Sequence, residues 1–352
     1  MNKIITTWFK RYLSHPEAIT IVIICISFLI VFKIMEQILV PIILSIVITY
    51  LLFGLLKQLE RWHCPHLLAL SVVFLLFISL LLLALLWLLP MLWEETIGLI
   101  TEIPTLLREM KIMILELHNY LPDLIPISLV EQVVTNIISC LANFSKEIVV
   151  FSLASLFGIV TVIIYLILVP LLVFFFLKDG QNIISWMTSF LPQKRQILRE
   201  VCGEMHEKIH RYILGKIIEI VIIAVSTIAI FEFLGLRYAV LLGALVGLSV
   251  MIPYIGITIV TIPIVIVGIM QWGITEHFCY VMIAHIVISV LDANFLVPML
   301  FSEIMNLHPL EIILSVLVFG NLLGFWGVFF AIPLMTLANV VMKSWPKENS
   351  ND

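Results

Sequence analysis

The sequence predicts an all-α polytopic membrane protein with about eight hydrophobic segments, two of them (239–270 and 309–342) broken or re-entrant. Three observations predict it. The chain of 352 residues is 62% hydrophobic and only 12% charged, a balance that would leave a water-soluble fold with a largely apolar surface. Runs such as ILVPIILSIVITYLLFGLL (38–56) and LLALSVVFLLFISLLLLALLWLLP (67–90) reach or exceed the roughly 20 apolar residues that span a bilayer. Finally, two late segments are too long for one upright helix and are punctuated by glycine and proline.

Along the chain, apolar segments fall near 19–36, 38–55, 67–92, 148–177, 213–235, 239–270, 277–300 and 309–342. The organisation reads as six regions: 1–92, a tail and the first three spans; 93–147, an amphipathic helical region; 148–177, a fourth span; 178–212, an amphipathic loop; 213–342, the C-terminal core; and 343–352, a tail. Lysine and arginine set the expected orientation. Lys3, Lys10 and Arg11 precede the first span, Lys57 and Arg61 lie in the 56–66 turn, seven basic residues crowd 178–216, and Lys343 and Lys347 close the chain. The 93–147 region carries Arg108, Lys111 and Lys146 against eight acids. Both termini are therefore expected in the cytoplasm and 93–147 outside.

Composition excludes some functions. Net charge is −4 with no basic tract, so no nucleic-acid partner is expected. The five cysteines (Cys25, Cys64, Cys140, Cys202, Cys279) show no metal-ligand spacing, and no cofactor or catalytic residue is expected. One motif argues otherwise. His206-Glu207-Lys208-Ile209-His210 reads H-E-x-x-H, which on a helix can offer two imidazoles to zinc. Yet Leu198, Val201, Met205, Ile209 and Tyr212 form the apolar stripe of that helix, and Glu207 lies nearly opposite it. An intramembrane metalloprotease would add a distant Leu-Asp-Gly, whereas Leu291-Asp292 is followed by Ala293. A charged, solvated helix face is the better reading.

The long segments carry more information. Gly243, Gly247, Pro253, Gly256 and Pro263 interrupt the first, and Gly320, Gly324, Gly327 and Pro333 the second. Such breaks free backbone groups that hydrocarbon cannot satisfy, so protein or a wet cavity must cover them. GITIVTIPIVI (256–266) and GVFFAIPLMT (327–336) also resemble one another, and paired interrupted segments point to a transport site. The alternative is a pair of kinked helices with glycines for close packing.

Ionisable residues inside spans are Glu219, Glu232, His285 and Asp292. Glu232 and Arg237 are expected to pair at an interface, and Glu219 to pair or snorkel near Lys216. Asp292 lies in SVLDANFLVPML beside Asn294 and Pro298. It either caps a helix or binds a proton, cation or polar solute.

Several motifs carry a family resemblance: LVPLLVFFFLKDG (168–180), LPQKR (191–195), RYILGK (211–216), LVGLSVMIPYIG (245–256), LDANFLVPMLFSEIMNLHPL (291–310) and FGNLLGFWGVFFAIPL (319–334). Together they resemble the autoinducer-2 exporter (AI-2E) family over essentially the whole chain, most closely its permease branch. The resemblance implies a homo-oligomeric transporter of the bacterial inner membrane, whose partners are the lipid bilayer and a small-molecule or ion substrate. Roles implied are export of a small signalling molecule such as autoinducer-2, or sodium- or lithium-proton exchange. The family motifs fall on Pro253, Tyr254 and Gly256; on Asp292, Asn294 and Pro298; on His308 and Pro309; and on Gly320, Gly324, Gly327 and Pro333. Ala293 and Asn321 stand where the family often has glycine. The leading expectation is a path between the broken segments, lined by Asp292 and Asn294. A non-transporting membrane scaffold is the rival.

Overall fold

The computed structural model describes residues 34–102, 161–186, 196–253, 255–301 and 307–343, with the isolated positions 27, 31, 132 and 189. Most of the first apolar segment, the amphipathic stretch from 103, residues 148–160, Tyr254 and the tail from 344 lie outside the described residues.

Among the described residues the fold is helical, without strands: α1 (Glu36–Arg61), α2 (His66–Glu102), α3 (Thr161–Trp186), α4 (Gln196–Phe233), α5 (Ala239–Ser249), α6 (Ile255–Trp272), α7 (Glu276–Phe301), α8 (Pro309–Phe329) and α9 (Ala331–Lys343). Seven of these are long and apolar enough to cross a membrane. Their outward faces fit that solvent: on α2, Leu67, Leu75, Leu80 and Leu86 are all more than half exposed. In water such a face would be a large sticky patch; against lipid it costs nothing.

The sequence explains the joints. His63 takes a left-handed backbone (φ 64°) and Pro65 an extended one, so α1 stops and α2 restarts after a four-residue turn, Trp62 to Pro65. Gly235 (φ 71°) and Tyr238 (φ 58°) end α4 and turn the chain back along it as α5. α2 runs without interruption through residue 93 to Glu102, about 55 Å at 1.5 Å per residue, so its end reaches past a ~30 Å hydrocarbon layer. There it holds the α4–α5 turn: Glu95 accepts from the Leu241 N–H (2.7 Å), and Glu102 lies 3.6 Å from Arg237. The expected partner of Arg237 was Glu232; the structure pairs it with Glu102 instead, because α2 outreaches the local helix.

Three larger packing units form among the described residues. Leu52 and Leu56 of α1, Ala69, Leu70 and Val73 of α2, and Val169, Val173 and Leu177 of α3 form one. α4 through α7 form the second, around Phe231, Leu242, Val246, Ile264 and Val281. The third gathers Val47, Tyr212, Ile213, Phe301, Ile312, Phe329 and Ile332 from α1, α4, α7, α8 and α9. α4 belongs to the second and the third, and is the spine of the C-terminal half.

Both long segments are hairpins. α5 descends antiparallel to α4, with Gly243 against Ile228 and Gly247 against Ala224. The chain turns at 250–253, and α6 climbs back until Gln271 bonds both the Gly235 carbonyl and the Arg237 N–H, each at 2.7 Å. Segment 239–270 therefore starts and ends at the same end of α4. The second hairpin turns at Gly324, whose φ of 61° and ψ of −140° break α8 internally. Although α8 has the length of a span, it folds on itself there, since Gly327 lies against the Phe319 carbonyl and Gly320 against Val328. Its return arm continues as α9, whose Val340 reaches Met205 near the start of α4.

Candidate functional site

The two breaks meet on α4. Proline has no N–H, so Pro333 cannot satisfy the carbonyl four residues before it. That carbonyl, of Phe329, accepts the Tyr212 hydroxyl at 2.9 Å. One turn further along α4, the Lys216 ammonium donates to the carbonyl of Val250, where α5 ends, at 2.8 Å. A second Lys216 bond goes to Glu219 Oε2, also at 2.8 Å. Lys216 and Glu219 side chains are 5% and 2% exposed, so their attraction is barely screened. The Phe301 ring closes the cation's other side, 5.4 Å from the ammonium.

Asp292 faces this pair from α7. It is buried, interacts electrostatically with Lys216 and Glu219, and its Oδ1 has no hydrogen-bond partner among the described residues. The helix widens to one π-type turn over Asp292–Leu296, with the Val297 N–H reaching five residues back to the Asp292 carbonyl. Pro298 follows directly and has no N–H to offer the carbonyl four residues before it, and the α-helix resumes over Val297–Phe301.

The other anticipated residues divide. Gly256 and Gly327 occupy equivalent positions: each sits just beyond its turn, under a carbonyl of the preceding arm (Ser249 and Phe319), where a Cβ cannot fit. Pro253 is in the first turn, its carbonyl accepting the Ile255 N–H; Tyr254 lies outside the described residues. Asn294 does not join Asp292. It is exposed, and its amide donates to the Val290 carbonyl at 2.8 Å. His308 and Pro309 start α8: the His308 ring accepts from the Leu310 N–H, Glu311 accepts the His308 N–H, and Pro309 occupies the first turn.

Sequence reasoning counted Lys216 among the basic residues of 178–216 and expected Glu219 to pair near it; the structure forms that pair and buries both side chains. A lysine one turn before a glutamate, both within an apolar run, was the available signal. Of the H-E-x-x-H pair, His206 Nδ1 bonds the Tyr50 hydroxyl at 2.9 Å and both rings pack on the Tyr50 ring of α1. Glu207 pairs with Arg211 and Lys208 with Glu204, the ordinary i,i+4 bridges of a wet face.

Hydrophobic helices, hairpins broken by glycine and proline, and ionisable groups in the interior define a multi-pass membrane protein with a built polar centre. The chain belongs to the AI-2E transporter family, whose model matches residues 17–347. It is 39% identical to "Putative permease PerM" of Escherichia coli K12 over 98% of both chains. It is 27% identical to "Putative transport protein YueF" of Bacillus subtilis, over 82% of this chain and 79% of that one. "Putative transport protein YrrI" of the same species is 26% identical over 88% and 87%.

Proposed function

We propose that this chain carries a small solute across the bacterial inner membrane along a path flanked by the 250–253 turn and the Gly324 turn, with Asp292 as its buried polar group. The convergence of both breaks on Tyr212 and Lys216 carries this reading. Two hairpins whose tips leave carbonyls free are arranged around one buried ion pair and one carboxyl with an unpartnered Oδ1, and such breaks persist where protein or a wet cavity covers them. A signalling metabolite of the autoinducer-2 kind is the leading substrate class, in keeping with the family. The lysine and arginine of the short loops support an orientation with both termini in the cytoplasm, and the apolar outer faces of α2 and α3 leave room for a homo-oligomer.

Comparing metabolites in spent medium from deletion and overexpressing cells identifies the solute. Asp292→Asn in reconstituted vesicles should then stop its flux while the protein keeps its fold and particle size. Unchanged flux would exclude Asp292 from the path.

A further inference from the structure

The α4–α5 turn is strained at Tyr238. Its backbone is left-handed (φ 58°), a conformation that an aromatic residue holds only where its surroundings over-determine it. Tyr238 is also the N-cap of α5, yet its side chain caps nothing, so the first N–H groups of α5 need an acceptor from elsewhere.

α2 meets both demands from outside the hairpin. Its half-buried Glu95 accepts from the Leu241 N–H at 2.7 Å. That is the bond a capping side chain makes to the third residue of its own helix, here supplied by a distant one. One turn on, Gly98 leaves room for the Tyr238 ring, since a Cβ there would come within 3.0 Å of it. The Tyr238 hydroxyl bonds Glu102, which also lies 3.6 Å from Arg237. Leu99 packs into the apolar cluster of α4–α7. The Arg237 and Glu102 side chains are 63% and 40% exposed, so water screens that pair. Glu95 carries more of the hold, because its carboxylate also meets the positive end of α5. At the other end of α5 the Lys216 ammonium takes the Val250 carbonyl. α5 is thus held by a carboxylate at its start and a cation at its finish, each from another helix.

We propose that the end of α2 is a latch on the first hairpin: Glu95 positions α5 against α4, and its release lets Tyr238 relax and α5 swing away, opening the path on the side opposite Lys57. Gly235 and Tyr238, both left-handed, bracket the hinge, and Gln271 ties α6 to the same turn, so the two arms move together. This inference rests on reading the first hairpin as one wall of the path, but its test does not need flux.

The test reads a cysteine at the last residue of α5. Ser249 is 7% exposed and nearly isosteric with cysteine. In a cysteine-free full chain in lipid vesicles, Ser249→Cys should react slowly with a small charged thiosulfonate added on the Arg237 side. Glu95→Ala should speed that reaction about tenfold or more, as loss of a charge-assisted hydrogen bond would. Gly98→Val, which pushes a branched side chain against the Tyr238 ring, should act in the same direction. Glu95→Gln keeps an oxygen for the Leu241 N–H and should restore most of the shielding. Ser45→Cys, fully buried between α1 and α3, reports general loosening and should stay shielded in every variant. Unchanged labelling in Glu95→Ala, equal labelling in Glu95→Gln and Glu95→Ala, or parallel exposure of Ser45→Cys would each overturn the latch. If Asp292→Asn stops flux while Ser249→Cys stays shielded in Glu95→Ala, the path stands and the latch falls. If Glu95→Ala alone exposes Ser249→Cys while Asp292→Asn transports normally, the latch stands and Asp292 leaves the path.

Discussion

Tyr212 and Lys216 lie one turn apart on α4, and each bonds a carbonyl that a different helix break leaves free, Phe329 for the tyrosine and Val250 for the lysine. One helix face thus holds two hairpins that are far apart in sequence.

The Tyr212 bond exists because Pro333 removed the natural donor. Tyr212→Phe keeps the ring, which is fully buried against Phe301 and Phe329, and orphans only the carbonyl. The expected loss is about 1–3 kcal/mol of stability. Pro333→Ala restores an N–H four residues after Phe329, in a stretch where the Leu334 N–H already bonds Phe330 helically. In the Tyr212→Phe background it should recover about 1 kcal/mol. Denaturation of the four proteins in a double-mutant cycle measures this, and additivity of the two changes would exclude a shared carbonyl.

Lys216 and Glu219 are both buried, so removing one partner strands a charge. Lys216→Met should cost about 3–5 kcal/mol, and Glu219→Gln should likewise destabilise. Replacing both, as Lys216→Met with Glu219→Leu, removes the stranded charge and leaves chiefly the unbonded Val250 carbonyl. The double variant should therefore be more stable than Lys216→Met alone. Equal stability of the two would mean that Glu219 is not held as an ion by Lys216.

Much of this was legible in the sequence because membrane spans are written in long apolar runs. Glycine and proline spacing marked the two breaks but left open whether each segment spans or returns, and the likeness of 256–266 to 327–336 corresponds to glycines that do the same job. Partner choice was not legible. Arg237 pairs with Glu102, and Tyr212 with Phe329, across more than a hundred residues, where local spacing carries no information. Lys216 was misplaced because charge-counting assigns lysines to the wet side of a boundary, and nothing local to that boundary marks a cation that a distant carbonyl will satisfy. Asn294 was grouped with Asp292 by proximity, although two residues along a helix point about 200° apart.

The α5–α6 hairpin predicts a topology. Gln271 bonds Gly235 and Arg237, so the loop at Ile274 opens on the same side as the α4–α5 turn. In a cysteine-free background, Ile274→Cys and Arg237→Cys should react with an impermeant maleimide from one side, and Lys57→Cys from the other. Both Ile274 and Arg237 are exposed, so access is not the limit. Labelling of Ile274→Cys together with Lys57→Cys would mean that 239–270 crosses rather than returns.

The tightest demand falls on Gly256 and Gly327. A methyl group on either overlaps a backbone carbonyl of the preceding arm, and a carbonyl at a turn cannot rotate aside as a side chain can. Gly256→Ala and Gly327→Ala should each force the hairpin open, at a cost at or above the ~1–3 kcal/mol of ordinary overpacking. Gly54→Ala on α1 meets nothing within 4 Å and removes a poor helix former, so it should be neutral or stabilising. Yield of monodisperse protein and its thermal midpoint distinguish these cases. The comparison also separates two roles for glycine in this chain. If all three variants behaved alike, the close approach of each turn to its own helix would not be what requires the residue. If only Gly256→Ala and Gly327→Ala fail, the paired likeness of the two segments is explained by the carbonyl each glycine shelters.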